Sequence, residues 1–206
     1  MRCLKFRILE TSHFLFLEDK ALKSIVKEYF EKTPIIAAAH EHNWKDAIES
    51  SAKVILCCSA NIMTIEEKVK EIHSKDKIAF VHIDLSDGIG KDKSGVEFLA
   101  KCDVDGIIST RGNLVKYANE LGLITVQRFF ALDAKGISGI KELSSVSRPD
   151  YIEIMPGVIG KIIRQFANGP IPVLVGGLID TKEEIAEALN NGAIAISTSK
   201  KELWEI

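Results

Sequence analysis

Apolar positions along this chain change their period repeatedly. Between Glu18 and Glu31 they recur at helical spacing, at Leu22, Ile25, Val26, Tyr29 and Phe30. Beyond that helix, short apolar runs alternate with stretches of helical period. The runs predict strands over Pro34–Ala39, Val54–Cys58, Ile78–Asp84, Gly106–Ser109, Ile124–Gln127, Tyr151–Met155, Pro172–Val175 and Ala193–Ser197. The intervening pattern predicts helices near 43–51, 64–74, 91–101, 111–121, 135–146, 158–167 and 180–190. Start signals support them, with Thr64 three residues before Glu67, and Asp180-Thr181 before Glu183 and Glu184. Gly122 and Asn191-Gly192 supply stops.

Eight strands alternating with helices, without hairpin signals between them, imply an all-parallel sheet. No Gly-x-Gly-x-x-Gly follows the first strand, which disfavours a dinucleotide-binding fold. The eighth helix is reduced to Glu202-Leu203-Trp204, and the N-terminal helix is expected to lie across the bottom and partly fill that gap. The predicted fold is α/β, a single TIM-like (β/α)8 barrel over residues 18–206, with an extra N-terminal helix and a truncated eighth helix. Residues 1–17 do not fit the pattern and read as an N-terminal arm.

Strands buried on both faces are nearly all apolar, so polar residues within them are informative. Phe80-Val81-His82-Ile83-Asp84 alternates, as do Ile124-Thr125-Val126-Gln127 and Ile152-Glu153-Ile154. Ala193, Ala195 and Ser197 share a small parity around Ile194 and Ile196. Alternation puts each set on one face. With the β-branched set against the helices, His82, Asp84, Gln127, Glu153 and Ser197 are expected to point into the barrel, those near strand ends ringing its mouth. The bland alternative is an internal hydrogen-bond network that holds no ligand.

Strand seven runs into Gly176-Gly177 before a helix start, and strand eight ends in Ser197-Thr198-Ser199. Paired glycines let backbone N–H groups approach an anion, and a helix N-terminus adds donors and dipole. In a barrel of this kind a phosphate cradle belongs after strands seven and eight. Taken singly, each piece is equally a tight strand exit or a helix cap. Arg111 after strand four and Arg128 after strand five stand at the same face, where a guanidinium matches phosphate oxygens or RNA. Asn61 lies in the second loop.

Composition narrows the function classes. In 206 residues, 46% are hydrophobic and 27% charged, enough for one sizeable core and too apolar for disorder. A formal net charge of -2 gives no support to bulk nucleic-acid binding, which would need a local basic patch. No run reaches membrane-span length. Cys3, Cys57, Cys58 and Cys102 show no metal spacing, and Cys57 and Cys58, adjacent on one strand, point to opposite faces. All four are expected reduced, in a cytoplasmic protein without metal or cofactor.

His82-Ile83-Asp84-Leu85, Ile107-Ile108-Ser109-Thr110-Arg111 and Gln127-Arg128-Phe129-Phe130 resemble the glycerol uptake operon antiterminators. So do Glu153-Ile154-Met155-Pro156-Gly157, Gly176-Gly177-Leu178-Ile179, Ser197-Thr198-Ser199 and Leu203-Trp204, and the resemblance runs in order over 34–204. It implies a TIM-like barrel that senses glycerol 3-phosphate and then acts on leader mRNA of glycerol-utilisation genes, opposing premature termination. It further implies that Gly176, Gly177, Ser197, Thr198 and Ser199 hold the phosphate, and that Asp84, Glu153 and Asn61 receive glycerol hydroxyls. Arg111 and Arg128 would steady the anion or reach RNA. Residues 1–30 have no counterpart in the family, and Lys200-Lys201 departs from its pattern after Ser199.

Two other readings compete with this regulator, which is expected to have no catalytic residue and for which a homodimer is a possible assembly. One is a barrel enzyme acting on a small phosphorylated substrate, with Asp84 and Glu153 as general acid and base. The other is a phosphate-site barrel without chemistry that binds a protein partner. No strand-end lysine is placed for a Schiff base, which weighs against the enzyme.

Overall fold

The computed structural model describes residues 12–206. Eight parallel strands close into a barrel in chain order. They are β1 (Ile35–Ala39), β2 (Val54–Cys57), β3 (Ile78–His82), β4 (Gly106–Ser109), β5 (Ile124–Phe130), β6 (Tyr151–Met155), β7 (Val173–Gly176) and β8 (Ala195–Thr198). The first helix, α1 (Ser12–Lys32), precedes them. The outer helices are α2 (Trp44–Glu49), α3 (Ile65–Ser74), α4 (Lys93–Lys101), α5 (Gly112–Glu120), α6 (Ala134–Ser147), α7 (Gly160–Ala167) and α8 (Lys182–Asn190). After β8 only a 3-10 turn over Lys201–Leu203 remains of an eighth outer helix. The predicted TIM-like barrel with its extra and truncated helices is therefore the fold.

Boundaries differ from the pattern where local hydrogen bonds outweigh it. β3 ends at His82 because the chain turns into a 3-10 helix over Ile83–Leu85, fixed by the Ser86 hydroxyl donating to His82 O at 3.0 Å. β5 continues three residues past Gln127 because β6 pairs with it as far as Phe130 and Met155. α1 begins at Ser12, six residues before the periodic pattern; of the expected arm, residues 1–11 lie outside the described residues.

Strand parity separates two apolar layers. Ile35, Ala37, Ile55, Cys57, Val81, Ile107, Ile154 and Val175 face the helices. Ile36, Val54, Leu56, Cys58, Phe80, Ile108, Val126, Leu174 and Ala195 fill the interior. Cys57 and Cys58 thus take opposite faces, and both are free thiols, as is Cys102. Gly106 opens the interior to Phe80, whose ring edge would lie 2.7 Å from any Cβ there.

The floor of the barrel is closed by α1. Val26 and Phe30 join the interior cluster, with Leu22, Ile25 and Tyr29 packed against it. Phe30 meets Tyr151 edge to face at 5.6 Å between ring centroids, and Lys23 pairs with Asp150 at 2.6 Å. With the floor plugged by apolar side chains, the opposite, C-terminal end of the barrel is the open one. Among the described residues no helix is long and apolar enough to cross a membrane.

Candidate functional site

Above the apolar layers the interior becomes polar. The register sets Arg128 opposite Glu153 and Gly176 opposite Ser197. Glu153 is fully buried. Its Oε2 accepts from Arg128 Nε at 2.6 Å and its Oε1 from the Ser197 hydroxyl at 2.5 Å. A buried carboxylate persists only when paired and hydrogen-bonded, and both conditions hold here. Arg128 extends toward the mouth with a side chain 11% exposed.

Gly176 owes its identity to this cluster. A Cβ on it would lie 2.3 Å from Ser197 Oγ and 2.9 Å from Glu153 Oε1. Gly177 owes its identity to backbone conformation, with φ at +74°, in the region that favours glycine. Leu178 follows at φ +60° and is exposed. The sixth loop pins the pair, since Gly157 N donates to Gly176 O at 2.7 Å and to Gly177 O at 3.1 Å. Among the described residues, the N–H groups of Gly177, Leu178 and Ser199 meet no protein acceptor. Thr198 is committed to structure. Its hydroxyl donates to Ile179 O and accepts from Lys200 N, and its carbonyl accepts from Trp204 Nε1. Thr181 and Glu184 close a capping box at the start of α8.

His82 faces the same interior and is buried. Burial pushes its pKa down to about 4, reinforced by the Arg128 charge and partly offset by Asp84 and Glu153. The imidazole is therefore neutral at neutral pH. Among the described residues its Nδ1 is the one buried side-chain polar atom without a hydrogen-bond partner.

Asp84 stands in the 3-10 turn after β3 and latches the next loop. It accepts from Ser109 Oγ at 2.8 Å, from Thr110 N at 2.7 Å and from Thr110 Oγ1 at 2.9 Å. Burial raises its pKa, but these donors outweigh burial and leave it below the usual value. Arg111 is exposed, 3.8 Å from Asp84 Oδ1, and donates to Lys91 O. Asn61 bonds Asp87 Oδ2 at 3.0 Å and so ties the second loop to the third.

Alternation holds on β5, but its direction is the reverse of the one expected. Gln127 points away from the interior: its Oε1 accepts from the Ser147 hydroxyl on α6, and its amide nitrogen lies beside Gly112 on α5. Thr125 shares that outer face and bonds Asp150 at 3.0 Å. The inward set is Ile124, Val126 and Arg128, because Arg128 has its buried carboxylate partner across the sheet on β6 and Gln127 has a hydroxyl outside. Arg128 is thus an interior strand residue and not a loop residue. His82, Arg128, Glu153 and Ser197 are brought together inside, Gly177, Leu178 and Ser199 edge them, and Asn61, Asp84 and Arg111 belong to the rim.

The sequence pattern missed the apolar rim. Met63, Leu85, Leu132 and Leu178 are exposed on loops around the mouth, as is Phe130 at the end of β5. Apolar residues in loops between strand ends and helix starts were the available signal. Cys58, an interior neighbour of this cluster, was also missed; burial pushes its thiol up to about 12, against the pull of Arg128.

The architecture is that of a TIM-like (β/α)8 barrel, with a polar, arginine-bearing mouth and free backbone donors after β7 and β8. The sequence matches the family model of glycerol-3-phosphate responsive antiterminators over residues 35–204, and the chain belongs to that family. Its fold resembles a glycerol uptake operon antiterminator regulatory protein from Listeria monocytogenes, with a TM-score of 0.77 and 34% identity, covering 82% of this chain and 94% of that one. A glycerol uptake operon antiterminator-related protein from Thermotoga maritima matches with a TM-score of 0.76 and 29% identity, over 84% of this chain and 99% of that one. The uncharacterized protein YgcP of Escherichia coli is 33% identical over 184 residues, 85% of this chain and 93% of its own. A deoxyribose-phosphate aldolase from Aeropyrum pernix, at 11% identity and a TM-score of 0.65, shares the fold alone.

Proposed function

We propose that this protein is a cytoplasmic transcription antiterminator that binds glycerol 3-phosphate at the barrel mouth and, so loaded, binds leader mRNA of glycerol-utilisation genes. The observation that carries the proposal is the juxtaposition at the mouth. Backbone donors of Gly177, Leu178 and Ser199 that meet no acceptor follow closely on Gly176 and Ser197, which surround the buried carboxylate that holds Arg128. Such donors with a nearby guanidinium suit a phosphate dianion. His82, buried and neutral with an unpartnered nitrogen, suits a hydroxyl of the attached polyol. Family membership supplies the regulatory context.

Calorimetry with glycerol 3-phosphate, glycerol and inorganic phosphate tests the effector half. Binding is expected for the phosphoester and not for glycerol. Equal affinity for glycerol would remove the phosphate cradle from the account. Anisotropy with a transcribed leader RNA, with and without glycerol 3-phosphate, tests the other half; no effector-dependent binding would defeat it. Affinity should fall as salt rises, because phosphate contacts release counterions.

The enzyme alternative draws on Asp84, His82 and Glu153 near one mouth, and on a fold shared with aldolases. The interior-facing strand positions include no lysine for a Schiff base, and Glu153 is already tied to Arg128 and Ser197. Turnover of glycerol 3-phosphate that is lost in Glu153→Gln would favour this alternative.

A further inference from the structure

The helical shell is electrically lopsided. α6 with its two caps carries Lys135, Lys141 and Arg148 against Asp133 and Glu142, and α7 carries Lys161 and Arg164 with no acid. Elsewhere on the ring the balance reverses: α8, next to α7, has Glu183, Glu184 and Glu187 against Lys182, and α3, across the barrel, has three glutamates against two lysines. Cations on that acidic side are held by carboxylates, as in Lys75 with Glu49, Lys200 with Asp180 and Lys201 with Asp46. On the basic side they are not. Among the described residues Lys116 and Arg148 have no ion-pair partner.

Those two cations line one groove. It runs between α5 and α6, encloses about 440 Å³, and is lined by Lys116, Asn119, Ser145, Val146 and Arg148, with Glu120 its one acid. Arg148 sits at the C-cap of α6 with φ 49°, a left-handed turn where glycine is usual. The turn is anchored by Asn119, whose amide donates to Arg148 O at 2.8 Å. Val146 and Leu143, on the same helix, are exposed.

We propose that the α5–α6 groove is the RNA-docking surface, Lys116 and Arg148 contacting the phosphodiester backbone and Val146 meeting a base. This rests on the antiterminator reading given above. A polyanion fits better than a single phosphate because the unpaired cations continue along α6 rather than converging on one point. It also resolves how a chain of net charge -2 meets RNA: the basic surface is local, confined to the unpaired cations of the groove and the neighbouring lysines of α6.

The test compares the whole protein with Lys116→Glu/Arg148→Glu, using a transcribed leader RNA of a glycerol-utilisation operon at saturating glycerol 3-phosphate. The double variant is expected to lose about tenfold or more in RNA affinity, and its log–log salt slope should fall by about two. Calorimetric affinity for glycerol 3-phosphate should be unchanged, because the groove lies outside the barrel. Lys182→Glu, on the acidic side, should leave RNA affinity as it was. Should the double variant fail to fold, Lys116→Glu/Lys141→Glu takes its place, with a loss expected in the same direction. Wild-type affinity and salt slope in these variants would overturn the proposal while leaving the antiterminator reading intact. So would photocrosslinks confined to the mouth loops, or retained RNA binding with loss of an acidic protein partner. Absence of RNA binding by the wild type would overturn both.

Discussion

Arg128 and Glu153 sit directly opposite each other across β5 and β6, Nε to Oε2 at 2.6 Å, and so form a buried ion pair beneath the mouth. Removing one member of a buried pair leaves an uncompensated charge, at a cost of about 3–5 kcal/mol. Arg128→Met should therefore lose roughly that much in urea unfolding. Arg128→Met/Glu153→Leu should recover most of it, because an apolar pair carries no desolvation penalty. Glycerol 3-phosphate binding should be absent in both variants, so recovery of folding without recovery of binding separates scaffold from sensor. A single variant within about 0.5 kcal/mol of wild type would remove the pair from the account.

The two glycines of the cradle should fail differently. Gly176→Ala drives a Cβ to 2.3 Å from Ser197 Oγ and 2.9 Å from Glu153 Oε1, so overpacking should lower stability by about 1–3 kcal/mol. Gly177→Val meets the φ of +74° and Met155 Cε at 2.7 Å. Met155 has a flexible end that can move, so the strain comes from the backbone conformation, and the side chain also blocks approach of the backbone to an anion. Calorimetry should show binding abolished in Gly177→Val, with unfolding shifted at least as much as in Gly176→Ala. Retained affinity in Gly177→Val would place the phosphate elsewhere.

His82 makes the protein acid-sensitive. Its pKa is about 4 in the folded chain and 6.5 in the unfolded one, so the unfolded state binds the extra proton between those values. Its contribution is constant above pH 6.5 and is lost progressively as pH falls toward 4, amounting to roughly 3 kcal/mol at the lower end. His40, also lowered by burial and by its neighbour His42, adds to the slope in the same direction. The Asp84 carboxyl, held below its usual 3.8, acts only beneath that window. Urea midpoints across this range should fall less steeply for His82→Gln than for wild type. Parallel profiles would show that the imidazole is not the acid-sensitive group.

The barrel was legible in the sequence because burial on both strand faces leaves continuous apolar runs, and helical period returns between them. Six of the interior and cradle residues, His82, Glu153, Gly176, Gly177, Ser197 and Ser199, stood out because polar or glycine residues are rare where strands are buried. Gln127 was misassigned because alternation fixes which residues share a face, not which face it is. Its direction depends on two long-range partners, Glu153 across the sheet for Arg128 and Ser147 on α6 for Gln127. Neither contact leaves a local signal. The tie between Asp84 and Ser109-Thr110 was hidden for the same reason, since 25 residues separate Asp84 from Ser109.

The N-terminal helix should matter for folding and not for sensing. Phe30 is 3% exposed, packs edge to face on Tyr151, and helps α1 close the end of the barrel opposite the mouth. Phe30→Ala should cost about 3–5 kcal/mol, the usual range for a buried aromatic. Val26→Asp, placing an unpaired carboxylate in the apolar floor, should be comparably severe. Because the Arg128–Glu153 layer is carried by the strands, Phe30→Ala that remains folded should bind glycerol 3-phosphate within about twofold of wild type, a difference under 0.5 kcal/mol. If its affinity fell tenfold while the fold persisted, α1 would have to be coupled to the mouth through the barrel interior.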